Sequence, residues 1–341
     1  MSAREVVGIT RRIPAPYWLT SSFLIALVLA PAFGGTALSA VNFFNIGQTF
    51  AAYGPLALGL GLLMVAGEFD LSLPAIYGLG AMIAVQTGQA NPWAGLALAV
   101  TAAAAIGLVN GFLVAAAKLN SVPVTLGAFI VVSGLILVLG GGKSVPYENY
   151  TVGLRLDEPI AGLASIRSLV AVGLFVATGL LVRGTRWGRD LKATGGDRRA
   201  AEVAGVRTQR ILIETFGLSA GLAGLSGALL GYGLSSANPA YGGFSSLIFA
   251  ATAVLLGGVR LAGGEGSAAG MAAGVFSMAL LEELLVVTEA QSYVQDLLTG
   301  GLLVLIGIAV SPHLLRQARA RGRVTNPTKS RRRRTPINLA G

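Results

Sequence analysis

The sequence predicts an all-α polytopic membrane protein with about ten transmembrane helices and both termini on the cytoplasmic side. Hydrophobic residues make up 54% of the 341-residue chain, and charged residues make up only 12%. The charged share is about half of the roughly 25% that is usual in soluble domains. Long segments carry no charge, and a helix that spans a bilayer needs about 20 mostly apolar residues. The basic residues are concentrated in three segments, as in proteins whose cytoplasmic loops are positively charged.

The uncharged segments give the predicted helices in order. No Asp, Glu, Lys or Arg occurs from Tyr17 to Gly67, from Leu71 to Ala117 or from Leu119 to Gly142. The long segments hold two helices each, separated by turns rich in Gly, Pro and Asn such as Gly88–Pro92 and Ser235–Gly243. The predicted helices are 17–38, 46–66, 73–89, 93–117, 124–141, 166–183, 211–234, 244–261, 266–287 and 292–310.

The distribution of charge orients these helices. Segments 1–16, 183–210 and 311–341 hold 20 of the 25 Lys and Arg residues, and all three fall on one side of the membrane if ten helices are present. We therefore predict a cytoplasmic segment 1–16, a single transmembrane domain 17–310 with a cytoplasmic loop 183–210, and a disordered cytoplasmic tail 311–341. The loop 142–165 is predicted outside and has a net negative charge. The last outside turn is predicted to be acidic through Glu282, Glu283 and Glu289, with Asp296 just beyond it.

Several other classes of function are disfavoured. The chain has no Cys, and its single His313 forms neither a zinc site nor a Ser/His/Asp arrangement. Leu139–Ser144 reads LGGGKS but lacks the first glycine of a phosphate-binding loop, because Leu137 occupies that position. An enzyme is therefore not expected. We interpret the run Arg331–Arg334 as an anchor on anionic lipid rather than a nucleic-acid site, and the first helix as a span rather than a signal peptide.

A few polar residues lie close to the predicted helices. Glu68 and Asp70 fall between the second and third helices, and two interpretations stay open. In the first, Ser72 caps the third helix and Pro74 lies in its first turn. In the second, a broken helix lines a pathway across the membrane. Buried asparagines more often join helices than line a pathway. The candidate pathway residues are Glu68, Asp70, Ser72, Asn110, Thr125 and Asn238.

Regularly spaced glycines predict close packing of the helices. Glycines four residues apart let two helix backbones approach each other in a membrane. Such spacing is common in membrane proteins and identifies no function. The glycines in question are Gly107 and Gly111, Gly217 and Gly221, Gly227 and Gly231, and the series Gly266, Gly270 and Gly274.

The loop 183–210 is the most distinctive segment. Gly195 and Gly196 are expected to break the chain, and Asp197 is a favourable first cap for a helix. Gly205 fits the end of that helix. A helix of about two turns is marginal alone, so it needs a partner surface. That surface is the bundle or another protein, with a lipid headgroup layer as the alternative.

Four ordered motifs within residues 45–310 resemble a known family. The loop contains a Gly-Arg pair, an Ala-x-Gly-Gly-Asp segment in which Asp replaces the usual Asn, a pair of alanines and a closing Gly. The other three motifs are Gly67–Ser72, Val124–Gly127 and Leu256–Ser267. In the first of these, Leu73-Pro74 follows where the family has Val-Gly. Together they resemble the membrane permease subunits of bacterial ABC importers, specifically the ribose-type sugar permeases of the branched-chain amino acid/sugar permease superfamily.

The resemblance implies a transport subunit without an ATPase site of its own. In the family, two permeases, as a second copy or a paralogue, form the pathway for a sugar or sugar-like solute. A cytoplasmic ABC ATPase binds ATP and Mg²⁺, and an extracytoplasmic solute-binding protein delivers the solute. The expected location is the bacterial inner membrane, in contact with membrane lipid and with no nucleic acid. The implied ATPase-coupling residues are Gly188, Arg189, Gly195, Gly196, Asp197, Arg198, Arg199, Ala200, Ala201 and Gly205.

Alternatives stay open on the sequence alone. An ion-coupled secondary transporter would use Glu68, Asp70 or Glu214 as proton sites. Within the ABC importers, a nucleoside or a branched-chain amino acid is an alternative solute. No cofactor is expected on this chain in any of these cases.

Overall fold

A computed structural model describes residues 39–310 of the chain. The predicted segment 1–16, the predicted helix 17–38, His313 and the predicted tail 311–341 lie outside the described residues.

The described chain is almost entirely helical. Its elements in order are α1 Ala40–Val65, α2 Leu73–Thr87, α3 Pro92–Ala115, α4 Ser121–Gly140, β1 Val145–Pro146, α5 Tyr150–Leu156, α6 Ile166–Gly184, α7 Arg186–Gly196, α8 Arg198–Val203, α9 Thr208–Gly233, β2 Ser236–Ala237, a 3₁₀ helix Pro239–Gly242, α10 Phe244–Leu256, α11 Ala268–Val287 and α12 Ser292–Val310. The two short strands pair antiparallel, with Val145 opposite Ala237. This two-residue ladder and an isolated bridge between Ile160 and Ala164 are the departures from the predicted all-α fold in the part of the chain described.

Local capping chemistry sets where several helices begin. The side chains of Ser39, Asn91 and Asn120 each accept a hydrogen bond from a backbone N–H in the first turn of the helix that follows. Ser165 forms a reciprocal capping box with Ser168 at the start of α6. Each cap satisfies an amide that the helix itself leaves without a partner.

Nine of the predicted helices, from 46–66 onward, coincide with helices in the structure. Six are long and apolar enough to span a bilayer: α1, α3, α4, α6, α9 and α11. Helices α2, α10 and α12 are apolar but shorter over their described residues. The boundaries differ most at two points. Helix α1 begins at Ala40, because Ser39 caps it, and α10 ends at Leu256, because Gly257 and Gly258 lead into a turn.

Helices α1, α2 and α9 form the centre of the bundle. Helix α9 packs against α3, α2 and α1, and its side chains are buried over most of its length. Glycines make these approaches possible, which confirms the predicted close packing. A Cβ on Gly107 would overlap the Phe216 carbonyl oxygen, and a Cβ on Gly274 would overlap the Ala253 carbonyl oxygen. Helices α3, α4 and α6 cover this centre and expose apolar side chains outward.

The connecting segments collect at two opposite ends of the bundle. At one end, the turn after α1 meets the end of α7 and the turn before α11. At the other end, Tyr147 Oη donates to the Gly88 carbonyl oxygen (3.1 Å) and Tyr232 Oη donates to the Pro92 carbonyl oxygen (2.7 Å). The β1–β2 ladder lies at this second end. The two groups are those that the charge pattern assigns to opposite sides of the membrane.

Candidate functional site

The distinctive loop folds into two short helices, α7 and α8, joined at Asp197. The Asp197 carboxylate accepts the Ala200 N–H (2.9 Å), which confirms the predicted cap of α8. Gly205 follows the end of α8 with φ of +85°, a conformation that favours glycine, as expected for a helix stop. The predicted break at Gly195-Gly196 is wrong. Helix α7 continues through both glycines, and the chain changes direction at Asp197 instead, whose backbone is extended.

The end of α7 packs against the end of α1 and the turn before α11, at one end of the bundle. The Gly264 N–H donates to the Val65 carbonyl oxygen (2.9 Å), so the turn before α11 is tied to the end of α1. A Cβ on Gly195 would overlap that same carbonyl oxygen and lie 2.8 Å from Gly264 N. A Cβ on Gly196, its neighbour, would make only an ordinary contact, 4.0 Å from Gly264 Cα. The α7 end is therefore in close backbone contact with the end of α1 and the turn before α11, and Gly195 is the position in α7 at which a side chain would overlap them.

Polar side chains hold the α7–α8 unit to the bundle. Arg198 forms an ion pair with Glu68 in the turn after α1 (2.7 Å). Glu214 near the start of α9 accepts from Trp187 Nε1 (3.0 Å) and from Arg210 Nε (2.6 Å). Two donors thus occupy the Glu214 carboxylate. Glu68, a candidate pathway residue, belongs by geometry to the contact between α1 and α8.

The far side of the α7–α8 unit faces away from the bundle. Gly196, Asp197, Arg198, Arg199 and Ala200 are all exposed. Val203, the last residue of α8, is 87% exposed. Ala201 is buried beneath them.

The turn into α7 is equally tight. Gly188 is buried, and a Cβ there would overlap the Val182 carbonyl oxygen at the end of α6. Arg189, next to it, is exposed. The glycine closes the corner between α6 and α7, and the arginine faces outward.

Four of the candidate pathway residues form one buried hydrogen-bonded cluster. The Asp70 carboxylate accepts from the Ser72 N–H (2.7 Å) and from the Ser72 hydroxyl. Asn110 Nδ2 donates to Ser72 Oγ (3.0 Å), and Thr125 Oγ1 accepts the Leu71 N–H (3.0 Å). The cluster joins the α1–α2 turn to α3 and α4. Asn110 therefore joins helices, as buried asparagines commonly do.

The predicted cap at Ser72 is wrong, although Pro74 does lie in the first turn of α2. Ser72 has helical backbone angles (φ −84°, ψ −14°), and its side chain accepts from no backbone N–H of the helix. A capping residue needs an extended backbone. The Ser72 hydroxyl instead donates to the Asp70 carboxylate, and its oxygen accepts from Asn110 Nδ2. The side chain is therefore not available to cap the helix.

Asn238 lies apart from that cluster. It caps the 3₁₀ helix by accepting the Ala240 N–H (2.8 Å), and its amide donates to Ser144 Oγ (2.9 Å). These contacts place it at the end of the bundle that carries the β1–β2 ladder.

We expect Asp70→Ala to destabilise the fold more than Thr125→Ala. Asp70 is fully buried and satisfies both the amide and the hydroxyl of Ser72. A buried donor left unpaired costs about 1–3 kcal/mol. Asp70→Ala leaves two such donors, whereas Thr125→Ala leaves one. Thermal unfolding in detergent, followed on the purified permease, measures the difference. Equal midpoints for Asp70→Ala and the parent chain would show that the cluster carries no stability.

Sequence reasoning missed two polar groupings at the end with the ladder. Arg167, 5% exposed, forms an ion pair with Asp157 and donates to Gln48 Oε1 (3.0 Å). A single basic residue at a predicted helix start gave no indication of a partner 119 positions away. The second grouping is a polar cleft between α1, α10, α11 and α12, lined by Tyr53, Ser245, Ile248, Phe249, Glu282, Gln295, Asp296 and Thr299.

The acidic residues predicted in the last outside turn are distributed differently. Glu282 and Glu283 lie within α11, and Glu283 is buried and accepts from Asn45 Nδ2 (3.3 Å). Glu289 alone lies in the turn, with φ of +55°. Among the described residues, no group of three or more His, Cys, Asp or Glu side chains is placed to hold a metal ion.

The chain is similar to permeases of characterised importers. It is 33% identical to the autoinducer 2 import system permease protein LsrC of Yersinia pseudotuberculosis over 269 residues, which cover 77% of this chain and 74% of the relative. It is 31% identical to the L-arabinose ABC transporter permease protein AraH of Azospirillum brasilense over 254 residues, 74% of each chain. With the L-arabinose transport system permease protein AraH of Escherichia coli it shares 26% identity over 300 residues, 85% of this chain and 88% of the relative. No solved structure matches the chain.

Residues 42–307 match the family described as "Branched-chain amino acid transport system / permease component". This range contains nearly every described helix, including the α7–α8 unit. Permease subunits of this kind have no ATPase site, and a separate partner chain hydrolyses ATP. The apolar helices and the family agree on a multi-pass protein of the inner membrane. The chain therefore belongs to the branched-chain amino acid transport system permease family, as the membrane-spanning component of an ABC importer.

Proposed function

We propose that this permease imports a sugar, delivered by an extracytoplasmic binding protein and driven by a cytoplasmic ABC ATPase. The observation that carries the mechanism is the seating of α7–α8 at one end of the bundle. Gly195 contacts the end of α1 and the turn before α11, while the basic outer face of α8 is exposed. The names of the relatives, with L-arabinose in two of them, support a sugar as the solute.

The α7–α8 unit is the proposed docking element for the ATPase. Val203 and Arg199 form the outer surface, which suits an acidic groove with an apolar base, while the partly exposed Arg198 is also paired with Glu68. Because the Gly195 contact is backbone against backbone, a displacement of α7 moves α1 and the α10–α11 turn with it. ATP and Mg²⁺ act on the partner, and this chain binds no cofactor of its own.

The proposed complex contains two permeases, as a homodimer or with a paralogue. The exposed apolar faces of α3, α4 and α6 contact membrane lipid or the second permease. The segments 142–165 and 235–243, which the β1–β2 ladder joins, offer a continuous surface to the binding protein. In this proposal the chain has ten spans in a single domain 17–310, with segments 1–16 and 311–341 in the cytoplasm.

Glu68, Asp70, Ser72, Asn110, Thr125 and Asn238 keep their proposed place along the pathway. The cluster around Asp70 lies where α1, α2, α3 and α4 meet, so its rearrangement is one way to open the end that carries α7. We propose that these residues act by holding helices together in one state of the transport cycle.

The test is reconstitution of the permease with the ATPase and binding protein encoded beside it. We expect the L-arabinose-loaded binding protein to stimulate ATP hydrolysis and to drive uptake of radiolabelled L-arabinose into proteoliposomes. Uptake should stop without ATP and persist with a protonophore, since no ion gradient is used. Uptake that needs no ATP and collapses with the protonophore would overturn the proposal in favour of an ion-coupled carrier.

A further inference from the structure

The cleft between α1, α10, α11 and α12 differs from the other polar regions because its polar side chains are not hydrogen-bonded to one another. Within the described residues, the side chains of Tyr53, Glu282, Gln295, Asp296 and Thr299 form no hydrogen bond or ion pair with the protein. In the cluster around Asp70, by contrast, Asp70, Ser72 and Asn110 are hydrogen-bonded to one another, although Asp70 Oδ2 has no partner among the described residues. Polar groups held together but unpaired are available to water or to a solute.

The cleft opens at the end of the bundle that faces away from the ATPase-docking unit. Ser245 is the second residue of α10 and Asp296 lies in the second turn of α12, while Glu282 lies near the end of α11. These helix ends belong to the end with the β1–β2 ladder, opposite α7 and α8. The position is one that a solute released by an extracytoplasmic binding protein reaches first.

The lining of the cleft has the chemistry of a site for a neutral polyhydroxylated molecule. Carboxylates accept hydrogen bonds, amides and hydroxyls donate and accept them, and all three kinds of group are present. Ile248 and Phe249 add an apolar wall, against which the C–H surface of a sugar packs. The cleft measures about 230 Å³. This is below the roughly 300–1,000 Å³ of drug-sized pockets, which suits a small solute.

The charge of the cleft narrows the class of solute further. Glu282 and Asp296 are both acidic, and no Lys, Arg or His is among the lining residues. A phosphorylated or carboxylated solute would meet like charge there, which is strongly unfavourable at membrane depth. An uncharged sugar meets acceptors for its hydroxyls without that cost.

A row of aromatic rings leads from the cleft into the bundle. The Phe249 and Tyr53 ring centroids are 4.6 Å apart, and the Tyr53 and Tyr77 centroids are 6.3 Å apart. Tyr77 is 1% exposed, and its hydroxyl has no hydrogen-bond partner in the part of the chain described. A buried hydroxyl without a partner is rare and costly, so it points to a ligand or water further along the same route.

We propose that this cleft is the entry subsite of the permease, that it accepts the polyhydroxylated solute through Glu282 and Asp296, and that it disfavours anionic solutes. The proposal rests on the proposed function, because it takes the solute to be delivered at this end. Beyond the proposed function, this proposal names the residues that contact the solute and states that anionic solutes are disfavoured.

Thiol labelling tests the hydration and the charge of the cleft without any solute. The chain has no Cys, so Ser245→Cys and Thr299→Cys give single reactive sites in the intact importer. We expect both to react with a cationic methanethiosulfonate reagent, and more slowly with an anionic one after correction for their rates with a free thiol. Combining each with Glu282→Gln and Asp296→Asn should remove that preference. Leu305→Cys, 63% exposed on the same helix, is the control and should stay unreactive.

Uptake tests the role in transport separately. We expect the Glu282→Gln/Asp296→Asn permease to take up L-arabinose at least about ten-fold more slowly, because two charged acceptors are lost. The loaded binding protein should still stimulate its ATP hydrolysis, since the α7–α8 unit is unchanged. If the parent importer shows sugar-stimulated ATP hydrolysis but the double variant transports normally, or if cleft cysteines resemble Leu305→Cys, the cleft assignment alone is overturned. Absence of stimulation in the parent importer would instead reject the proposed function.

Discussion

Replacing Gly195 with Ala is expected to slow coupled transport at least about ten-fold, whereas replacing its neighbour Gly196 with Ala is expected to leave transport intact. Both glycines lie at the end of α7, where Ala has the higher helix propensity by about 0.5–1 kcal/mol. Propensity alone therefore predicts that both changes are harmless. The two glycines differ in the contacts that an added methyl group would make. A Cβ at Gly195 overlaps the Val65 carbonyl oxygen, and a Cβ at Gly196 lies 4.0 Å from Gly264 Cα, which is ordinary contact.

The expected loss of transport in Gly195→Ala is large because backbone atoms would have to move. Val65 and Gly264 present backbone atoms to the new methyl group, and backbone cannot rotate away as a side chain can. Overpacking of this kind costs about 1–3 kcal/mol, and 1.4 kcal/mol corresponds to a factor of about ten. We expect uptake by Gly195→Ala to fall at least about ten-fold, together with stimulation of ATP hydrolysis by the loaded binding protein. Both are measured in proteoliposomes.

A loss of transport in Gly195→Ala also follows if the bundle itself unfolds, so a second variant tests the docking surface without touching the bundle. Val203→Ser changes the exposed tip of α8 and no contact within the bundle. It should keep the thermal midpoint of the parent chain while retaining less ATPase during purification. Full transport by Gly195→Ala, or normal ATPase retention by Val203→Ser, would contradict the docking assignment.

Much of the helical arrangement could be predicted from the sequence, because hydrophobic segments and helix caps depend on residues that are close together in the chain. The absence of charge over long segments predicts where helices cross the membrane, and nine predicted ranges have their counterparts in the structure. Asp197 and Gly205 delimit α8 through backbone preferences that act within a few residues. The same rules failed at Ser72, since its hydroxyl has a choice of partners. Asp70 is two residues away and Asn110 is brought in by another helix, so tertiary contact decides the outcome.

Contacts between distant parts of the chain lay beyond the sequence for the same reason. Gly195 and Gly196 look alike in sequence, and only the approach of Val65 and Gly264 makes one of them critical. The cleft is assembled from four helices, and each contributes one to three polar side chains that are unremarkable alone. The sequence shows Glu282 and Asp296 only as charges near a predicted outside turn. Their shared cleft depends on the packing of α11 and α12 against α1 and α10.

Replacing Gly227 with Ala is expected to destabilise the whole bundle, while Gly221→Ala on the same helix is expected to be tolerated. Both lie in α9, the central helix, and both belong to glycine pairs spaced four apart. A Cβ on Gly227 would overlap the Tyr77 carbonyl oxygen and lie 2.7 Å from its carbon, whereas a Cβ on Gly221 would lie 3.7 Å from Ala104 Cβ. The α2–α9 crossing thus depends on the absence of a side chain at Gly227.

The expected cost at Gly227 is at the upper end of the roughly 1–3 kcal/mol range for overpacked cores, because the opposing atoms are backbone atoms of Tyr77 and Ala81 in α2. Gly221→Ala gains helix propensity and meets only ordinary contacts, so its thermal midpoint should match or exceed that of the parent chain. Thermal unfolding of the purified permease in detergent and its yield in the membrane fraction measure both. If the two variants unfold at the same temperature, α2 and α9 can separate without loss of stability, and the central packing of α9 does not hold the bundle together.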